Sequence, residues 1–377
     1  MSGKQFLIVL AILVGLAAAG AGVLWMDRSS WQQTDARIGQ RLIPALKLSE
    51  IAEIRIQDAA GAATLVQSEG DWRVRERADF PADVNLIREF LLKLAESKVV
   101  QTDPLPESQR ARLQLQEPKS GAEKSSGTIL ELKDGKARPV ARLLLGKKVL
   151  KQSEGGPAAG VPSGRYVLSA DGKSVEAVSD PLNQVELKPE AWLAKDLVKI
   201  ERIKSISAQG GDGKARWAVV RDNENADWKF ADSPGKPDNS KVQDLVSSLY
   251  SMNLEDVATD TKDAGLDRPT IVRIDTFDGI GYQVRIGNKA GENRYFVTVR
   301  MSGELIKSRH AAKGETPEQK EKQDKSFEER IAKLGHTLKR DRMLEKWTLV
   351  VQKSSVDPLL RERVQLLAEK KPAARKP

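Results

Sequence analysis

The sequence predicts an α+β fold: an N-terminal transmembrane helix, two tandem repeats of antiparallel sheet backed by a helix, and a charged C-terminal helical segment. Three observations predict it. Phe6–Trp25 is a run of residues without a single charge. Ile51–Val100 passes from period-2 to period-3.6 apolar spacing, the change from strand to helix. Ile203–Leu254 repeats the same order of parts. The boundaries that follow are a tail (1–5), the apolar helix (6–25), a connector (26–46), a first repeat (47–200) and a second repeat (201–306). A charged helical insertion (307–346), a final strand and helix of the second repeat (347–368) and a basic, disordered tail (369–377) complete the chain.

The apolar run is long enough to cross a hydrocarbon core of about 30 Å as a helix. Phe6, Leu10, Leu13, Leu16, Leu24 and Trp25 are its anchor residues, and Trp25 and Trp31 stand where interfacial aromatics belong. The alternative is a cleaved signal peptide, with Lys4 before an apolar Phe6–Leu16 and a cleavage site at Ala19-Gly20-Ala21. Apolar character continues through Val23, Leu24 and Trp25, which favours a retained anchor. Either reading carries the rest of the chain across a membrane. Lys4 is outnumbered by Arg28, Arg37 and Arg41 on the far flank. Large domains are exported largely regardless of such counts. The expectation is a single-pass inner-membrane protein with a periplasmic body.

In the first repeat Ile51, Ile54 and Ile56 nearly alternate with Glu53 and Arg55, the signature of a half-buried strand. Asp58–Gly61 turns the chain into Thr64-Leu-Val66, and Glu69-Gly70-Asp71 turns it again towards Trp72 and Val74. After Pro81 and a capping Asp83, residues Leu86, Ile87, Phe90, Leu91 and Leu94 fall on one helical face. Ile129–Leu132 and Ala141–Leu145 read as strands joined at Asp134-Gly135, and Arg165–Ser169 as another. Leu182–Ile200 reads as helical or irregular.

The second repeat has Ile203 and Ile206, then a Gly210–Gly213 hairpin tip, then Trp217, Val219 and Val220. Trp228 and Phe230 follow, and Pro237-Asp238 precedes Val242, Leu245, Val246, Leu249 and Tyr250. Sliding one helix on the other sets Asp83 over Asp238, Ile87 over Val242, Phe90 over Leu245 and Leu94 over Leu249. Leu145-Gly146-Lys147-Lys148 corresponds to Ile286-Gly287-Asn288-Lys289, and Arg165-Tyr166-Val167 to Arg294-Tyr295-Phe296. A shared order of parts at this period is the mark of an internal repeat. Trp72, Phe90, Leu94, Trp228, Leu245 and Leu249 are the expected repeat cores, since buried aromatics chiefly serve packing.

Lys307–Lys346 is dense in charge. Thr316-Pro317-Glu318-Gln319 is a helix start, with Thr as N-cap, Pro at N1 and Gln at N3. Phe327, Ile331, Leu334 and Leu338 form a thin stripe that Gly335 interrupts. It is either an exposed helix lying on the body or a partner-docking face. Trp347–Val351 reads as a last strand, and Asp357-Pro358 starts a short helix with Leu359, Leu360, Val364 and Leu367.

Composition narrows the function classes. Charged residues make up 31% and hydrophobic ones 40%, so the chain is globular. Its net charge of +9 is spread among acidic residues, which describes a solvated surface rather than a phosphate track, and nucleic acid is not an expected partner. With no cysteine there is no disulfide, thiolate metal site or thiol nucleophile. His310 and His336 lack the spacing of a metal motif and read as exposed. Gly172-Lys173-Ser174 ends like a phosphate-binding loop, but Val167 stands where that loop needs its first glycine. No G-x-S-x-G elbow occurs. No cofactor and no metal are expected. A carboxylate pair or a Ser–Lys dyad leaves too little local signature to be read from spacing.

The I-x-x-I-x-I strand at Ile51–Ile56, Gly70-Asp71-Trp72 before a helix and the Leu145-Gly146 strand end form one group of motifs. Arg165-Tyr166-Val167 and Trp192–Leu197 followed by Ile203 form another. Together with the N-terminal apolar helix, they resemble the bacterial domain of unknown function 4340 family over Leu46–Arg300 and again over Trp347–Leu367. The resemblance implies a membrane-tethered extracytoplasmic α+β protein, often encoded beside components of an ABC-type export or gliding-motility-like system. It carries no catalytic residues with it. The expected function is an accessory or scaffolding subunit of a membrane transport assembly, with the membrane and a protein partner as its contacts. The alternatives are a cell-envelope hydrolase and a lipid- or polymer-binding module.

Overall fold

The computed structural model describes residues 37–150, 160–185, 187–196, 199–231, 234–303, 305–309 and 314–368. The N-terminal tail, the expected anchor, the first eleven residues of the connector, the tail from 369, His310 and the side chain of His336 lie outside the description. Among the described residues no helix is long and apolar enough to cross a membrane. The fold is α+β, with two large antiparallel sheets and few helices. It divides into two compact units, residues 37–76 with 81–192, and residues 77–80 with 193–368.

The first sheet is built from β1 (Ile51–Gln57), β2 (Ala62–Ser68), β3 (Asp71–Val74), β4 (Phe80–Pro81), β5 (Val99–Pro104), β6 (Thr128–Asp134), β7 (Pro139–Leu150), β8 (Pro162–Leu168) and β9 (Ser174–Val178). Its order is β4-β3-β2-β1-β6-β7-β8-β9-β5. Helix α1 (Val84–Glu96) lies between β4 and β5 in the chain. Asp83 caps it, its carboxylate accepting from the amides of Asn85 and Leu86. Ile87, Phe90, Leu91 and Leu94 are buried, each contributing roughly 1.5–3 kcal/mol. Phe90 meets Trp192 edge-on at 5.8 Å. Leu86, expected on the same face, is exposed. A further core cluster joins Ile129, Leu144 and Val175 of the sheet to Leu105 and Leu115 of its connections.

The second sheet has β10 (Ile203–Gln209), β11 (Ala215–Val220), β12 (Lys229–Phe230), β13 (Leu254–Val257), β14 (Thr270–Thr276), β15 (Ile280–Lys289), β16 (Arg294–Gly303) and β17 (Leu349–Gln352). Its order, β12-β11-β10-β14-β15-β16-β17-β13, is that of the first sheet without β4. Helix α2 (Asn239–Tyr250) precedes β13 as α1 precedes β5, and Asp238 caps it through the amide of Ser240. Val242, Leu245 and Leu249 are buried, whereas Tyr250, expected on that face, is half exposed. Within this unit Trp347 meets Phe80 edge-on at 5.0 Å and donates its indole N–H to the Ala78 carbonyl at 2.8 Å.

The ladders match residue for residue. Ile54 pairs with Leu65 and Leu132, and Ile206 pairs with Val219 and Ile274. Both strands carry a register shift just before these residues. Counting along the third strand makes Trp72 equivalent to Trp228, and both are buried, at 8% and 5% exposure. The ends of the helices agree as well, with Asp83 N–H donating to Trp192 O and Asp238 N–H to Leu366 O. Gly146 and Gly287 share one role. A Cβ on Gly146 would lie 2.3 Å from the Leu113 carbonyl oxygen, and on Gly287 2.0 Å from that of Ala264.

One correspondence read from the sequence needs correction. Leu145 and Lys148 pair with Val167 and Arg165, while Ile286 and Lys289 pair with Val297 and Tyr295. Arg165-Tyr166-Val167 therefore matches Tyr295-Phe296-Val297, one residue later than the shared Arg-Tyr suggests. The burial agrees, because Arg165 and Tyr295 are both buried and Val167 and Val297 fully so. Other differences are smaller. The end of the polar connector is part of the fold: Gly39, Gln40 and Leu42 hydrogen-bond along β5, and Leu42 and Ile43 are buried. The described residues of Leu182–Ile200 contain one 3-10 turn, Pro189–Trp192, and no α-helix. The last helix is a 3-10 turn followed by α4 (Arg363–Leu366), with Val364 exposed.

Candidate functional site

The two units diverge most at one hairpin. In the first, β8 and β9 are joined by a tight turn in which the Asp171 carboxylate accepts from the Lys173 amide. In the second, the equivalent strands β16 and β17 are separated by residues 304–348, including helix α3 (Pro317–Asp341). Thr316 caps this helix reciprocally. Its hydroxyl accepts from the Gln319 amide at 3.3 Å, and the Gln319 side chain accepts from the Thr316 amide at 3.1 Å. Arg309 ties the approach to the helix, donating to both oxygens of Glu315 at 2.7 Å and to Asp324 at 2.6 Å. The Glu315 hydrogen bonds, joined by Asp324, hold its guanidinium pKa above the ordinary arginine value.

The stripe on α3 faces inward. Phe327 and Leu338 are buried and Ile331 and Leu334 half-buried. Gly335 does not interrupt the helix, which continues to Asp341. Its missing Cβ would stand 3.6 Å from Leu305. A docking face made of these four residues would need them exposed, so the apolar stripe serves to hold α3 on its own unit.

Beneath α3 lies an ion cluster. Asp278, in the β14–β15 turn, has a buried side chain. Arg202 approaches it at 3.3 Å and Arg330 of α3 at 3.4 Å, and Arg202 also pairs with Glu224 at 2.6 Å. Neither contact to Asp278 is aligned as a hydrogen bond: its Oδ1 and the Nε atoms of Arg202 and Arg330 are buried without a hydrogen-bond partner. Arg202 holds this position with φ of 51°, in the left-handed region. Such a conformation is costly away from glycine and clusters at functional sites. The Arg330 guanidinium lies 5.4 Å from the Phe327 ring, and that of Arg221 lies 5.7 Å from Phe277 and 4.8 Å from Trp228. Burial pulls the Arg221 guanidinium below its ordinary value.

Between α3 and this cluster is a cavity of about 700 Å³. Arg202, Phe277 and Ile306 line one side, Gln319, Lys322, Gln323, Ser326, Phe327 and Arg330 of α3 the other, and Arg309 completes it. Ligand sites usually enclose 300–1,000 Å³. Among the described residues no carboxylate lines this one. Among the described residues no group of three or more His, Asp or Glu is placed to hold a metal.

The family model Domain of unknown function (DUF4340) matches residues 72–269. The chain belongs to this family. The match runs from the buried Trp72 through α1, the rest of the first sheet and α2 to the start of β14. The α3 insertion lies outside the matched residues. No curated protein and no solved structure matches the chain.

Of the expected site residues that the structure describes, Phe327 alone lines the cavity. Trp72, Phe90, Leu94, Trp228, Leu245 and Leu249 are all buried in the two cores. Arg202, Asp278 and Arg330 went unnoticed in the sequence because they lie far apart in the chain. The signal lay in the repeat. With Ile51 set on Ile203 and Asp134 on Thr276, Glu50 corresponds to Arg202, Gly135 to Phe277 and Lys136 to Asp278. The second copy thus reverses both charges and adds an aromatic ring where the first has an exposed turn.

Proposed function

We propose that the protein is a membrane-anchored accessory or scaffolding subunit of an ABC-type transport assembly, with both units on the periplasmic side of the inner membrane. The observation that carries this reading is the paired architecture, one copy closed by a tight turn and the other elaborated by α3. Two copies of one unit, one of them modified at a single hairpin, suit a protein that organises partners rather than one that turns over substrate. The uncharged Phe6–Trp25 run supports a tether, and family membership supports the transport context by resemblance. Solubilising the membrane in mild detergent and capturing the full chain should co-purify integral transport subunits. Recovery of the chain alone, at detergent levels that keep other membrane complexes intact, contradicts the proposal.

A further inference from the structure

We infer that the cavity beneath α3 binds a small phosphoryl-bearing ligand. This goes beyond the scaffolding role and does not depend on it.

The inner surface is rich in donors and poor in acceptors. Its described residues present three guanidiniums, one ammonium, two carboxamides and one hydroxyl, and no carboxylate. Carboxylates do neutralise the arginines, but Glu224, Asp278, Glu315 and Asp324 bind them from outside the lining. Lys322 is exposed on α3 and pairs with no described carboxylate. A cation entering the cavity would meet this array of like charges. A neutral polyol would leave Lys322 and the Nε atoms of Arg202 and Arg330 without an anionic acceptor. A phosphoryl group offers several acceptor oxygens to guanidinium forks, an ammonium and a hydroxyl at once.

The cluster also has the look of an unfinished network. Buried polar atoms are nearly always hydrogen-bonded, and exceptions call for a ligand, ion or water. Here Nε of Arg202, Nε of Arg330 and Oδ1 of Asp278 are three such atoms within one cluster. The strained backbone of Arg202 keeps one of these groups in place. The first unit supplies the internal comparison. Its Glu50 is exposed and pairs with Lys47 at 3.0 Å, and a tight turn joins β8 and β9 where the second unit carries α3. The site therefore arises where the second copy departs from the first in charge, in aromatic content and in chain length together.

The ligand could be a soluble phosphate ester or the headgroup of an anionic lipid, and the test separates them. The full chain in neutral detergent is titrated calorimetrically with glycerol 3-phosphate, with glycerol, and with neutral micelles doped with short-chain phosphatidylglycerol. Glycerol 3-phosphate or the doped micelles should bind and glycerol should not. Lys322→Glu, at an exposed position, should weaken that binding roughly tenfold by replacing an attraction with a repulsion. Lys339→Glu, elsewhere on α3, should leave it unchanged. Binding to the doped micelles alone, abolished by Lys322→Glu, assigns the phosphoryl group to a lipid headgroup. Absence of binding to both phosphoryl probes, or equal effects of the two substitutions, overturns the inference.

Discussion

Arg165 and Tyr295 occupy the same position of the two units, and the difference between them is a stability test. Arg165 is buried, and its Nε–H donates to the Gly146 carbonyl at 3.0 Å. Burial pulls its pKa down to about 10. A base whose folded pKa lies below its unfolded one is penalised fully at neutral pH, here by on the order of 3 kcal/mol, and relieved only as pH rises through 10. Arg165→Met removes that penalty and gives up one hydrogen bond of about 1 kcal/mol. Denaturant unfolding at pH 7 should show a gain of about 1–2 kcal/mol that shrinks above pH 10. Glu53 acts in the opposite sense. Burial alone would raise its pKa, but Lys133 at 2.7 Å and Arg75 at 3.5 Å outweigh it and hold the carboxyl below its ordinary value. Its contribution is present above the unfolded pKa and fades as pH falls through the lower folded one. Glu53→Gln should therefore destabilise the protein at pH 7 and make no difference near pH 2. Gly146→Ala and Gly287→Ala should each destabilise the fold, since both force a Cβ into a backbone carbonyl.

At the scale of elements, α1 and α2 were legible because their apolar residues keep a 3.6-residue period behind a capping aspartate. Asp83→Ala and Asp238→Ala should each cost about 1 kcal/mol in chemical denaturation, by the same mechanism at equivalent positions. The start of α3 was equally plain, since Thr316 and Gln319 carry a reciprocal signal in four residues. Strands β5, β9 and β13 were not legible. Val175, Glu176, Ala177 and Val178 of β9 are buried in succession, which erases the alternation that identifies a strand. In β5 and β13 a register shift falls at Val99/Gln101 and at Leu254/Asp256, breaking the period within strands of six and four residues. The Arg-Tyr shared by Arg165 and Arg294 misled by one residue because only the ladder, not the dipeptide, fixes equivalence. Since β16 and β17 pair through Arg294–Val297 and Leu349–Gln352, replacing residues 304–341 by a flexible Gly/Ser linker of about ten residues, which keeps Leu344 and Glu345, should leave the second sheet folded. Circular dichroism should then show lost helix and retained strand, and the cavity's ligand binding should vanish.

For the molecule as a whole, the α+β class, the duplication and the family could be read from the sequence, because each depends on the order of many weak signals. The cavity could not, because Arg202, Asp278 and Arg330 become neighbours only when α3 folds over the β14–β15 turn. The proposed membrane placement rests on the uncharged Phe6–Trp25 run, and the proposed function rests in turn on the side of the membrane to which that run would deliver the rest of the chain. The absence of cysteine makes this directly measurable. Val364, the most exposed of the described large apolar residues at 71%, accepts a cysteine without disturbing the core. In intact cells whose outer membrane has been permeabilised, a membrane-impermeant maleimide should label Val364→Cys fully. Labelling that appears only after the inner membrane is lysed would put the body in the cytosol and contradict the account.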